Sequence, residues 1–179
     1  MSTMQGRWIT WDELTSVNDL HNALSTPLSK LHKPELHEVE EDALKLYKRW
    51  VAYLSGNPLN ETGGLDEFYD FENMTEYDLM EGEIGRGGDK VRAHFAKVGS
   101  ELADGVVRLR DTEITATSPG FVHVTAWQNF KGTSQDGSPF DITYRCTQLM
   151  RKTEKGWRWY HDHFSFWADL KTGEAKITG

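Results

Sequence analysis

The chain has 179 residues, a net charge of −8 and 12% aromatic residues, including seven tryptophans. This length fits one domain with a sizeable core, and an acidic chain without a basic block argues against a nucleic-acid partner. No apolar run approaches the roughly 20 residues that span a bilayer, and residues 1–10 lack the apolar core of a signal peptide. The single Cys146 excludes an internal disulfide and a cysteine-based zinc site. We expect a cytoplasmic protein without membrane contact.

Residues 1–35 are predicted to form an N-terminal helical extension, because apolar residues recur at helical spacing between positions 14 and 24. The extension is expected to cover the outside of the main domain or a neighbouring subunit. A lid over a ligand pocket is the alternative.

The main domain is predicted to occupy residues 36–179. It begins with an amphipathic helix, since apolar residues recur every three or four positions from Val39 to Leu54. A short helix over 65–71, a strand over 75–80, a glycine-rich turn over 81–88 and a third helix over 89–101 follow.

Beyond residue 105 the pattern changes to strands. Short turn sequences separate four β-rich runs, at 106–117, 121–131, 140–152 and 157–167. Helices followed by an antiparallel meander predict an α+β fold in which a curved antiparallel sheet wraps around about three helices. Such a sheet encloses a conical pocket, which is the default ligand site.

Three stretches of the main domain carry a family resemblance. They are 75–80 followed by 87–95, then Tyr-Arg-Cys-Thr at 144–147, and Gly-Trp-Arg-Trp-Tyr-His-Asp-His-Phe-Ser at 156–165. Together with the order of elements over about residues 36–170, they resemble the nuclear transport factor 2-like (NTF2-like) superfamily, in particular its SnoaL-like and ketosteroid isomerase-like members. The resemblance implies the cone-shaped fold and a homodimer formed through the outer face of the sheet. It does not fix the function, because this fold hosts several enzyme classes and binding modules.

Asp78 is the first catalytic candidate. It ends the first predicted strand, and the resemblance implies that it corresponds to the proton-shuttling aspartate of ketosteroid isomerases. A carboxylate that is desolvated in an apolar pocket becomes a better base. A solvated carboxylate, or one paired with Arg86, is the alternative.

His161 and His163 are the other catalytic candidates. Strict alternation along a strand would place both on one face together with Trp157 and Trp159. The resemblance implies that this face lines the pocket, where one histidine would act as an acid or base and the other would orient it. A structural histidine pair is the alternative. A metal site would need a third ligand, and we predict none.

The residues predicted to bind substrate share aromatic or hydrogen-bonding side chains on elements bordering the pocket. They are Tyr47, Trp50, Tyr77, Trp127, Asn129, Tyr144, Arg145, Thr147 and Trp159. Trp50 stands where a ketosteroid isomerase-like helix has its oxyanion-holding tyrosine. Arg145 could hold a carboxylate or enolate oxygen through two hydrogen bonds, and a structural pair with an internal acid is the alternative. Alternation in the predicted strand over 121–131 leaves open whether Trp127 and Asn129 face the pocket or a neighbouring subunit.

The predicted function is a cofactor-independent lyase, isomerase or cyclase. It would act by general acid–base proton transfer on a small apolar compound that contains a ring or an unsaturated carbonyl group. One alternative is a non-catalytic module of the same fold that binds a ligand or drives oligomerisation. Another is a metal-dependent oxygenase or hydrolase that uses His161 and His163.

Overall fold

The structure is a computed structural model that describes residues 6–56, 64–79 and 84–176. It confirms the α+β fold. The helices are α1 (Val17–Asn22), α2 (His37–Leu54) and α3 (Gly88–Glu101), with 3-10 turns at Trp11–Glu13, Pro34–Leu36 and Gly64–Glu67. The strands are β1 (Thr75–Tyr77), β2 (Gly85–Arg86), β3 (Leu102–Ser118), β4 (Phe121–Ser134), β5 (Pro139–Thr153), β6 (Gly156–Ser165), β7 (Trp167–Ala168) and β8 (Ala175–Lys176).

Six strands form one curved sheet in the order β2-β1-β6-β5-β4-β3, and β7 and β8 form a separate hairpin. The strand β1 runs parallel to β6, whereas the other neighbours are antiparallel. The predicted strand at 75–80 ends at Tyr77, and the predicted helix at 65–71 is a single 3-10 turn. Residue 80 of the predicted strand and residues 81–83 of the predicted glycine-rich turn lie outside the described residues. Below, the inner face of the sheet is the face that α2 and α3 cover.

Two facing glycines let β3 and β4 approach closely beside α3. Gly105 pairs with Gly132 in the strand register. A Cβ atom on Gly132 would lie 2.3 Å from the carbonyl oxygen of Asp104, and one on Gly105 would lie 2.4 Å from the ring of Phe130. Larger residues would therefore push the strands apart or displace this ring, and glycines in strands commonly mark such close approaches.

A β-bulge in β6 decides which side chains of this strand face inward. Trp159 pairs with Met150 and His161 pairs with Leu149, so Tyr160 is an extra residue opposite β5. Trp159 is fully buried against α2, where its ring contacts those of Tyr47 and Trp50. Because the bulge inserts one residue, the alternation is reversed beyond it.

The N-terminal extension covers the edge of the sheet that β3 forms. Ile9 and Leu109 exchange two backbone hydrogen bonds of 2.8 Å each. Further along, the Nδ1 atom of His32 lies 2.9 Å from Glu40 and its Nε2 atom lies 3.0 Å from Glu113. These two contacts tie the extension to α2 and β3, and the extension protects an edge strand from pairing with other chains.

Among the described helices, none combines the length and the apolar character needed to cross a membrane.

Candidate active site

A cavity of about 410 Å³ lies between the helices and the inner face of the sheet. Its wall is largely aromatic and aliphatic, with residues from α2, α3 and the strands β3 to β6. The aromatic side chains of this wall are Trp50, Tyr53, Phe95, Phe130, Tyr144 and Phe164. Among residues 6–35, the part of the extension that the structure describes, none lines this cavity.

Asp78 and His94 form an acid–base pair in the wall of this cavity. The Oδ2 atom of Asp78 lies 3.3 Å from the Nε2 atom of His94, and the two side chains are only 15% and 11% exposed. Asp78 directly follows β1, and His94 projects from the middle of α3. An imidazole held beside a carboxylate in an apolar cavity can take a proton and return it, and the carboxylate can orient the ring or act as the base.

A second, smaller cavity of about 240 Å³ reaches the same pair from another side. It is lined by charged residues of β1 and α3, among them Glu76, Lys90 and Lys97, besides Asp78 and His94. One side of the pair therefore borders the largely apolar cavity, and another side borders the cavity lined by charged residues.

A buried carboxyl group, that of Asp162, lies in β6 at 0% exposure. Burial raises the pKa of Asp162 to about 7 and the charge of Asp78 adds to this effect, whereas hydrogen bonds from Gln148 and Tyr69 oppose it. The Nε2 atom of Gln148 donates to Asp162 Oδ1 at 2.9 Å, and Tyr69 in turn accepts a 2.7 Å hydrogen bond from Trp50 Nε1. Through Trp50, this polar network reaches the cavity wall.

Only part of the predicted site gathers at the cavity. Asp78, Trp50 and Tyr144 line it. Tyr47 and Trp159 are inside the cone but lie fully buried behind Trp50, with ring centroids 5.9 and 5.7 Å from it. Tyr47 and Trp159 therefore support the cavity wall and do not form part of it.

His161 and His163 are on the outer face, which corrects the predicted orientation. The bulge at Tyr160 separates them from Trp157 and Trp159, and Asp162 takes the inward position instead. The Nδ1 atom of His161 lies 2.7 Å from Thr75 Oγ1, and the ring of Tyr77 contacts both histidine rings. Tyr77 is itself 47% exposed. These three side chains form a cluster on the surface away from the cavity.

Four other predicted substrate-binding residues also lie on the outer face: Trp127, Asn129, Arg145 and Thr147. Their inward neighbours, such as Gln128 and Cys146, are buried against the helices. Asn129 accepts hydrogen bonds from Arg108, and Arg145 donates to the carbonyl oxygen of Phe166. The sequence pattern could not decide this question, because polar and aromatic residues occur on both faces.

His94 is the important residue that the sequence analysis missed. Val91, Phe95 and Val98 of α3 recur at helical spacing, and His94 falls three residues after the first of them. That spacing places it beside the inward stripe of α3. The signal was thus present, but it gave no indication that Asp78 would lie opposite.

The cone-shaped fold is that of solved structures described as NTF2-like. The sequence profile of the SnoaL-like domain matches residues 72–169, which is more than half of the chain. The chain therefore belongs to the SnoaL-like domain family. A search among proteins of curated function finds no match to the sequence.

Solved structures share the fold at low sequence identity. An NTF2-like protein of unknown function from Pseudomonas putida KT2440 has 17% identity and a TM-score of 0.64, and the match covers 78% of this chain and 94% of that one. A provisionally named scytalone dehydratase from Novosphingobium aromaticivorans has 12% identity and a TM-score of 0.60, with coverages of 74% and 87%. A provisionally named aromatic ring hydroxylase from the same species has 19% identity and a TM-score of 0.59, with coverages of 76% and 97%.

The raised pKa of Asp162 predicts an unusual dependence of stability on pH. Between about pH 4 and pH 7 the unfolded chain has lost this proton and the folded chain keeps it, so a rise in pH favours unfolding. We expect Asp162→Asn to remove this contribution. Relative to the wild type, its free energy of unfolding should rise from pH 4.5 to pH 7.5 by about 3 kcal/mol.

Urea denaturation at several pH values measures this difference, with Glu72→Gln at an exposed position as the control. Parallel pH profiles for wild type and Asp162→Asn would show that the carboxyl group ionises normally.

Proposed function

We propose that the chain is a cofactor-independent lyase or isomerase whose acid–base group is the Asp78–His94 pair. The observation that carries this proposal is the 3.3 Å contact between the two side chains in the wall of the 410 Å³ cavity. Asp78 keeps the role predicted from the sequence, and the role of paired acid passes from His161 and His163 to His94. The proteins of similar fold that are provisionally named dehydratases support this reaction type.

The proposed chemistry is proton transfer next to a carbonyl group. In an isomerisation, the Asp78 carboxylate takes a proton from a carbon beside the carbonyl and returns it to another carbon as the double bond moves. In a dehydration, the same carboxylate takes the carbon-bound proton, and protonated His94 donates a proton to the departing hydroxyl group, which leaves as water. A cyclisation begins with the same proton abstraction. These steps transfer only protons or release water, and the substrate is neither oxidised nor reduced overall, so they require no redox cofactor.

The cavity wall supports an apolar, ring-containing substrate. Phe95, Phe130 and Phe164 supply flat apolar surfaces, which favour stacked or edge-to-face contacts with a ring. An apolar wall also excludes water, and this strengthens the interaction of a developing enolate with nearby hydrogen-bond donors. Tyr144 lines the same cavity and offers a phenolic hydroxyl group that could play that part.

We also propose a cytoplasmic homodimer that forms through the outer face of the sheet. Trp127, Arg145 and His163 are on this face, with aromatic and arginine side chains of the kind enriched at protein interfaces. In this arrangement these outer-face residues would contact the second subunit. Light scattering that shows a monomer at micromolar concentration would contradict the dimer.

The proposed function predicts that Asp78→Asn and His94→Gln each remove most of the activity. Positioned acid–base groups commonly contribute about 10²- to 10⁴-fold to the rate, so kcat should fall by about that factor while the ligand still binds. Turnover is measured as the change in ultraviolet absorption of a panel of small enones and β-hydroxy ketones with one or two rings. The matched controls lie outside the cavity: Asp89→Asn at an exposed position and His37→Gln at a half-buried one.

The variant His163→Gln tests whether the histidine that acts as the paired acid is His94 or His163. Loss of activity in this variant together with full activity in His94→Gln would contradict the proposal and restore the sequence-based assignment. Tight binding of these compounds without turnover, equal in wild type and Asp78→Asn, would instead indicate a ligand-binding module.

A further inference from the structure

Three side chains with metal-binding donor atoms meet where the two cavities adjoin. Glu76 and Asp78 project inward from β1 and the residue after it, and His94 faces them from α3. One donor atom from each lies within 4.8 Å of those from the other two. The cluster combines residues of two different elements, and it is the only such group of three in the described part of the chain.

The separations are close to those of a coordination sphere. Two ligands bound at about 2.0–2.1 Å to a tetrahedral Zn²⁺ ion lie about 3.3 Å apart. The Asp78 and His94 donor atoms are already 3.3 Å apart. The Glu76 carboxylate would need to move by at most about 1.5 Å, which rotation of its side chain allows.

The surroundings of Glu76 favour a positive charge and leave room for it. Glu76 is only 3% exposed, and it pairs with Asp162 in the register between β1 and β6. Buried carboxylates need compensation by a cation. The cavity of about 240 Å³ borders Glu76, so there is space for an ion beside this carboxylate. Lys90 and Lys97 line the same small cavity, and their ammonium groups are the competing source of positive charge.

We propose that Glu76, Asp78 and His94 bind a divalent transition-metal cation such as Zn²⁺. Two carboxylates and one imidazole form a donor set that suits Zn²⁺, Co²⁺ or Mn²⁺ better than Ca²⁺ or Mg²⁺, which prefer oxygen donors. Water from the small cavity would complete the coordination. The exposed stems of Lys90 and Lys97 allow the ammonium groups to move to solvent when the ion enters.

This site goes beyond the proposed function and does not depend on it. Because Asp78 and His94 would serve both roles, a bound metal would occupy the proton-transfer pair, and we expect it to inhibit that reaction. Metal binding is measured without any substrate, so failure of one proposal is distinguishable from failure of the other.

The test is titration of the full metal-free chain with Co²⁺, in which binding is measured by visible d–d absorption and by calorimetry. We expect one ion per chain with the intense absorption of a four- or five-coordinate site. Glu76→Gln and His94→Gln should each weaken binding about tenfold or more. The matched control is the double variant His161→Gln, His163→Gln, which removes the two outer-face imidazoles and should bind as the wild type does.

Three results would overturn the proposal. They are the absence of binding at millimolar Co²⁺, unchanged binding in both Glu76→Gln and His94→Gln, and loss of binding in the outer-face double variant. The first would mean that the lysines neutralise the carboxylates, and the last would place the metal on the histidine pair of β6. Circular dichroism establishes folding of each variant. If Glu76→Gln does not fold, His94→Gln at a partly exposed position still decides the question.

Discussion

The one-residue bulge at Tyr160 is the constraint on which the site depends. Trp159, just before the bulge, packs against the rings of Tyr47 and Trp50 and fixes β6 to α2. Beyond the bulge the alternation is reversed, so Asp162 and Phe164 enter the cone. A regular strand would keep the indole rings inside and would also direct two imidazole rings into the cavity, leaving Asp162 outside. The polarity of the interior is therefore set by a single inserted residue.

The same arrangement explains why the candidate chemistry lies near α3. The short strand β1 is parallel to β6 and takes its register from it, which turns Glu76 and Asp78 inward and Tyr77 outward. His94 then meets Asp78 across the gap between strand and helix. Several carboxyl groups lie on this inner surface. The imidazole of His94 and the ammonium groups of Lys90 and Lys97 lie beside Glu76 and Asp78, and the raised pKa of Asp162 favours its uncharged form. A metal ion would be a further means of compensation.

The fold was predictable because it follows from patterns that extend over many residues. The helix over 37–54 and the four long strands each contain enough apolar positions to reveal their period. The position of Asp78 in the cavity wall was also predictable, because the resembled family has an aspartate near this position. The orientation of His161 and His163 was not, because no local signal at Tyr160 distinguishes a bulge from a regular strand. The partnership between Asp78 and His94 depends on tertiary packing between two short elements, and the sequence shows only that each is present.

A crystal structure with a bound aryl ketone of two rings, such as 1-tetralone, tests the proposed substrate cavity and the β6 bulge most directly. It reports both the direction of the β6 side chains and the place where a ring compound binds. We expect the ketone among Phe95, Phe130 and Phe164, its carbonyl group facing the Asp78–His94 pair, and Asp162 pointing inward. A ketone bound on the outer face, or a regular β6 strand with its histidines in the cavity, would contradict it.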